Sequence, residues 1–326
     1  MASSNRFEYL DSIRGFAIIL MVMGHAIAWN YSDWQSVVLF NSMQNNAEKY
    51  GGIIWQIIYS FHMALFFMVS GFLAINSGKK TFTEFFANKI KRLFVPWVCS
   101  FLIIYLVRGS MGYWFLLSLF QLSLIGFLLI RAIDKLKIKS LSITLFVFVT
   151  LWIAAKQIPN CELFGIEIMK FKEYLLPFCF GISLRKFDNL NNLVSSKHWI
   201  FSLCFILFSV IFVSRYFFEN PKGGAFLPLL GSICVWHFFC NLKQSKVANV
   251  FQFLGKNTMP IYILHILFVI QIPAIGQFIL KQNAVTSITI QLTYSLMISA
   301  IAIFWSLVLY KFLRKSKFIS FCLFGE

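Results

Sequence analysis

The stretch Tyr9-Leu-Asp-Ser-Ile-Arg-Gly-Phe-Ala-Ile-Ile-Leu-Met-Val-Met-Gly-His-Ala26 is long and apolar enough to cross a bilayer, yet it carries Asp11, Arg14 and His25. A plain anchor has no use for these side chains, because ionisable groups in hydrocarbon are costly and mark functional positions by default. On an ideal helix the eleven steps from Arg14 to His25 make about three turns, so both return to one stripe about 16 Å apart along the axis. Ile18, Met21 and Val22 fill that stripe, while Gly15, Ala17 and Gly24 leave room for neighbouring helices. Arg6, the apolar run and Ala26-Ile27-Ala28 together imitate a cleaved signal. Glu8, Asp11 and Arg14 do not suit one, so the run is expected to remain as the first span.

Outward from this stretch the composition stays the same. The 326 residues are 59% hydrophobic and 18% aromatic, with 13% charged, beyond the roughly 45 to 50% apolar of soluble domains. An all-α, polytopic integral membrane protein in a lipid bilayer is expected. Apolar runs of spanning length mark about ten transmembrane helices, near 10–29, 52–75, 93–108, 113–131, 139–155, 171–185, 198–217, 225–242, 258–280 and 287–311. The net charge of +17 does not point to nucleic acid, because the basic residues lie between apolar runs and not along one soluble face. Counted over the ends and connections, 21 of the 29 Lys and Arg fall on one side and 8 on the other, while the 12 acids divide evenly. A bias acting through Lys and Arg alone places the N- and C-termini in the cytoplasm. All connections are short, so residues 1–326 are expected to form a single membrane domain with no appended soluble domain, and no inverted repeat stands out. Cys99, Cys161, Cys179, Cys204, Cys234, Cys240 and Cys322 form no CxxC pair and mostly lie in or beside apolar runs. They support neither a disulfide framework nor a metal site.

Three further stretches carry chemistry. In Phe61-His-Met-Ala-Leu-Phe-Phe-Met-Val-Ser-Gly-Phe-Leu73, His62 enters the second span from its outer end, at a depth comparable to His25. Either it orients His25, shares its substrate, or bonds a backbone carbonyl as a packing residue. Ser70-Gly71 reads as a small-residue helix contact. The connection from Asn76 to Arg92 holds Lys79, Lys80, Lys89, Lys91 and Arg92 against Glu84 alone. Lys89 and Arg92 stand one turn apart at a helix mouth, a geometry that clamps phosphates, although a plain positive-inside loop has the same composition. Leu254-Gly-Lys-Asn-Thr-Met-Pro-Ile-Tyr-Ile-Leu-His265 opens the ninth span and sets Tyr262 and His265 at i, i+3. His198 and His237 are less informative. Glu173, at the outer mouth of the sixth span, is a candidate carboxylate partner for a histidine.

Taken together, Asp11, Arg14-Gly15 and His25, the His62-Met63 and Phe66-Phe67 to Ser70-Gly71 run, Arg92-Leu93 with Pro96, and Gly255 to Tyr262 to His265 resemble the membrane-bound acyltransferase-3 family, over essentially the whole chain. The nearest likeness is to its fucose 4-O-acetylase-like branch of sugar O-acetyltransferases. Four motifs in the right order make a strong signal, where each alone is weak. The resemblance implies transfer of an acetyl group from cytosolic acetyl-CoA to a hydroxyl of a cell-surface or exported glycan or glycolipid, at the plasma membrane of a bacterium. His25 then matches the catalytic histidine, Arg14 the helix 1 arginine, and Lys89 and Arg92 the paired basic motif that binds the donor. The family usually has Arg where this chain has Lys89, which trades a bidentate contact for a point charge.

The expected mechanism docks the phosphates of acetyl-CoA on the inner basic mouth, with the thioester arm along the Arg14 to His25 stripe. His25 is the general base for the sugar hydroxyl, and His62 polarises the thioester carbonyl or holds His25 in one tautomer. Asp11, Tyr262 and His265 are substrate-binding or structural. No metal takes part. Two other classes share ten helices with buried polar groups: a membrane transporter or glycan flippase without acyl transfer, and a non-catalytic subunit of a glycan-export complex.

Overall fold

The structure, a computed structural model, describes residues 7–30, 46–78, 80–108, 114–163, 166–218 and 222–326. Arg6 and Lys79, both weighed above, lie outside the described residues, as does residue 113 at the start of the expected fourth span. Apart from a two-residue antiparallel ladder, Glu162–Leu163 with Ile166–Glu167, the described regular structure is helical. Five helices among the described residues are long and apolar enough to cross a membrane: Glu8–Ala28, Gly52–Ser77, Trp114–Lys135, His198–Phe218 and Ala284–Leu313. Shorter apolar helices cover Leu141–Lys156, Gly224–Cys240 and Thr258–Leu267. Helices of 10 to 17 residues rise only about 15 to 26 Å, short of the roughly 30 Å hydrocarbon layer, so length alone does not qualify these segments. The chain divides into two compact units, residues 1–65 with 194–310, and residues 66–193 with 311–326.

The first unit is built around α1 (Glu8–Ala28), whose apolar residues are largely buried: Ile13, Ala17, Ile18, Val22, Ala26 and Ile27 have no exposed surface. It receives the N-terminal part of α2 (Asn46–Ala74), then α9 (His198–Phe218), α10 (Leu227–Cys240), α11 (Lys246–Lys256), α12 (Thr258–Leu264), α13 (Pro273–Leu280) and most of α14 (Ala284–Leu313). Backbone meets backbone between α1 and α11. A Cβ on Gly15 would come within 1.9 Å of the Phe251 carbonyl oxygen, and one on Gly255 within 1.8 Å of that of Asp11.

The expected ninth span is not one helix. It breaks after α12 into a 3-10 turn, His265–Leu267, and resumes only at α13. Proline disfavours the α conformation in the residue before it, and Ile272, before Pro273, sits at φ −131°, ψ 78°. Its freed N–H donates to Asn30 Oδ1 at 2.6 Å, so the break leaves that group paired. Along α14, Ser287, Gln291, Ser295, Ser299 and Ser306 form a buried polar stripe whose hydroxyls bond backbone carbonyls, and Tyr294 reaches the Ala26 carbonyl at 3.5 Å.

The second unit continues α2 through a 3-10 turn, Ile75–Ser77, into a short helix α3 (Phe82–Lys89). A capping box starts α3, Thr81 and Glu84 each bonding the other's backbone N–H. A π turn, Ile90–Phe94, joins it to α4 (Val95–Arg108). Pro96 has no N–H to offer the Arg92 carbonyl four residues back, and such a gap in the ladder is accommodated by a wider turn. Then follow α5 (Trp114–Lys135), α6 (Leu141–Lys156), α7 (Phe171–Lys186), the start of α8 (Asp188–Ser196) and the terminal α15 (Lys317–Phe324). Lys186 pairs with Asp134 at 2.8 Å, and Arg131 donates to the Lys80 carbonyl at 2.8 Å.

Candidate active site

In the first unit α11 runs against α1, Asp11 facing Gly255 and Gly15 facing Phe251, and α12 then turns to run with α1, meeting it at two polar levels. At the lower level Arg14 Nη2 donates to Thr258 Oγ1 at 2.7 Å, and Nη1 lies 3.7 Å from Asp11 Oδ1. The Thr258 hydroxyl in turn donates to the Gly255 carbonyl at 2.9 Å. The Asp11 side chain is 7% exposed and that of Arg14 33%. Asp11 and Thr258 are thus two partners of the Arg14 guanidinium.

At the upper level, eleven residues on, His25 Nδ1 lies 2.8 Å from His265 Nε2. His265 is buried, with Nδ1 at 3.0 Å from the Ile261 carbonyl. Trp29 lies parallel to the His25 ring, centroids 5.4 Å apart at 6°. Among the described residues no hydrogen bond reaches His25 Nε2. Tyr262 is buried one turn before His265, its ring 6.4 Å away and tilted 39°.

His62 belongs to the same unit. Its Nδ1 donates to the Ile58 carbonyl at 2.8 Å, and Tyr59 meets its ring edge-on at 4.7 Å. A carbonyl can only accept, so a neutral His62 holds its one proton on Nδ1 and presents Nε2 as an acceptor. The hydrogen-bond partner of His25 is thus His265, from a segment 240 residues away, and no short-range pattern announces it. Thr258 as the partner of Arg14 was equally invisible, since a threonine at a helix start reads as a cap.

The second unit holds the basic mouth. A cavity of about 340 Å³ is lined by Asn76, Lys80, Asn88, Lys89 and Arg92, with Phe85 among its apolar wall. Lys89 Nζ stands 5.6 Å over the Phe85 ring. Burial, then the nearby charges of Arg92 and Lys80, pull the Lys89 ammonium from 10.5 down to about 8. Two cations driven together next to amide side chains form a receptor for a multiply charged anion. Glu173 is engaged within the same unit, 3.5 Å from Lys170, which also pairs with Glu167 at 2.7 Å. Among the described residues no three His, Cys, Asp or Glu side chains come together as a metal site.

A model of the acyltransferase domain family Acyl_transf_3 matches residues 7–311. No curated protein and no solved structure matches the chain.

Proposed function

The chain belongs to the acyltransferase-3 family, and from that premise we propose that it is a sugar O-acetyltransferase of the fucose 4-O-acetylase-like branch. It moves acetyl from cytosolic acetyl-CoA to a hydroxyl of a cell-surface or exported glycan. It works in the plasma membrane, the inner membrane of a bacterium, with ten spans and both ends in the cytoplasm; the 21 to 8 division of basic residues supports that topology.

One observation carries the catalytic assignment. His25, in a largely apolar helix, has Nδ1 bonded to His265 and, among the described residues, no hydrogen bond at Nε2. His25 Nε2 takes the proton of the sugar hydroxyl as its oxygen attacks the thioester carbonyl carbon. The C–S bond then breaks, and the departing thiolate takes the same proton from His25, giving the acetyl ester and free coenzyme A thiol. A neutral imidazole suits both proton transfers. We assign the Lys80, Lys89 and Arg92 mouth to the donor's phosphates. Arg14, as the helix 1 arginine of the family pattern, is assigned to donor binding. With its proton held on Nδ1 by the Ile58 carbonyl, a neutral His62 has no hydrogen on Nε2 to polarise the thioester carbonyl, and we assign it instead to accepting a hydrogen bond from a substrate hydroxyl or amide.

The test is mass spectrometry of surface glycans from cells carrying the wild type or a correctly inserted His25→Ala variant. A gain of one acetyl mass with the wild type and its loss with the variant is expected, and retained acetylation by the variant overturns the base assignment. Uptake or flipping of glycan without acetyl transfer would favour the transporter class, to which the broken α12–α13 segment would also be suited.

A further inference from the structure

We infer that His265 is a positioning residue which, held by the Ile261 carbonyl, fixes His25 in the tautomer whose Nε2 is unprotonated. The inference rests on the assignment of His25 as the base and states how that base is kept ready.

One atom in the chain of contacts fixes where the protons lie. The Ile261 carbonyl oxygen can only accept, so the His265 nitrogen 3.0 Å from it, Nδ1, carries a hydrogen. The same oxygen accepts the backbone N–H of His265, using its second lone pair. A neutral imidazole has one N–H, so His265 Nε2 is left as an acceptor. The atom 2.8 Å away, His25 Nδ1, must then be the donor. His25 is consequently protonated on Nδ1 and bare on Nε2.

The rings confirm that this is a directed hydrogen bond and not a face-to-face contact. Their centroids are 5.0 Å apart and their planes differ by 19°. With the two nitrogens 2.8 Å apart, a centroid separation that large requires both rings to point their nitrogens at each other along nearly one line. The bond therefore lies in the plane of both imidazoles, where the lone pair of His265 is directed.

Burial makes the arrangement hard to escape. His265 is 1% exposed, and a flip of its ring would aim a C–H at the Ile261 carbonyl. The choice of a histidine as partner also suits its surroundings. A carboxylate would orient His25 equally well but would add a charge to an apolar interior, whereas a neutral imidazole accepts the bond without one. When His25 takes the sugar proton, its Nδ1–H bond to His265 becomes charge-assisted and strengthens, so the partner favours the protonated state that forms during reaction.

The experiment combines tautomer and rate in the full-length chain. Nitrogen-15 NMR of histidine-labelled protein in lipid nanodiscs, with His25→Ala identifying its signals, reads the tautomer directly. The initial rate of label transfer from radiolabelled acetyl-CoA to endogenous glycolipid in isolated membranes reads turnover. In the wild type His25 is expected as the Nδ1–H form. In His265→Phe the Nε2–H form should grow, and the maximal rate should fall about 10²- to 10⁴-fold, the usual weight of a general base. The half-saturating acetyl-CoA concentration should stay within about twofold, as for loss of an interaction made in the transition state. His265→Gln, which can place an amide oxygen near the former Nε2, should recover at least about tenfold of that rate. An Nε2–H form of His25 in the wild type, or an unchanged tautomer in His265→Phe, overturns the inference. A shifted tautomer with an undiminished rate overturns instead the assignment of His25 as the base.

Discussion

Lys89 is an ionisable group outside the spans whose charge changes within a working pH range. Burial and the neighbouring Arg92 and Lys80 bring it down to about 8 from 10.5, so above about pH 8 the mouth loses one of its cations. The sign for binding follows. kcat/KM for acetyl-CoA should fall as pH rises through about 8, while Lys89→Arg, which stays protonated throughout, should hold the plateau at least one unit further. The sign for folding is opposite. Between about 8 and 10.5 the unfolded chain holds this proton more tightly than the folded one, so stability rises with pH there. Rate profiles of the two proteins in membranes, from about pH 6.5 to 9.5, decide the point, and coincident profiles would remove Lys89 from donor binding. Thr258 accepts from Arg14 and donates to Gly255. Thr258→Val keeps the shape and removes both bonds, so detergent-solubilised protein should lose about 1 to 3 kcal/mol of stability and melt earlier. Arg14, His25 and the Lys89 to Arg92 pair could be read in the sequence because ionisable groups stand out in or beside apolar runs. His265 as the partner of His25 could not, since the pairing depends on the Ile261 carbonyl and on two segments 240 residues apart.

At the scale of elements, the site depends on how closely α1 lies against α11 and α12. Gly15 and Gly255 permit backbone contact, and both polar levels, Arg14 with Thr258 and His25 with His265, are reached from that contact. Gly255→Ala would drive a Cβ into the Asp11 carbonyl, an atom that cannot swing aside as a side chain does. Overpacking of this kind costs about 1 to 3 kcal/mol or more. The variant should melt earlier than wild type and should also lose acetyl transfer, whereas Gly223→Ala, strained at φ 78° in the turn before α10, should melt earlier yet leave transfer by the folded protein intact. Equal loss of transfer in the two variants would count against a special role for the contact. The long apolar helices were plain from hydropathy alone. The short helices α3, α8, α11 and α15 were not, because eight to eleven residues of mixed polarity fall below any spanning window and look like connections. The break before α13 follows from Pro273, whose effect on the preceding residue is local while the apolar run around it is continuous.

For the whole molecule, the family match over residues 7–311 takes in both compact units. Orientation in the bilayer is the property on which the assignment of a cytosolic donor rests. The basic residues that decide it are spread over many connections, 21 against 8, so no single loop dominates. Each Lys or Arg kept on the cytoplasmic side adds to the same bias, whereas the evenly divided acids add little. A fluorescent protein fused after Glu326 should therefore light up in the cytoplasm, and alkaline phosphatase fused there should stay inactive. Fused after Lys281, between the last two apolar runs, the two reporters should exchange behaviour, because an odd number of spans separates that point from the C-terminus. The reverse pattern at both points would put Lys89 and Arg92 outside, away from any cytosolic coenzyme A, and would end the proposed use of that mouth. Matching signals at the two points would instead show that residues 284–313 do not cross, and the count of ten would fall with them.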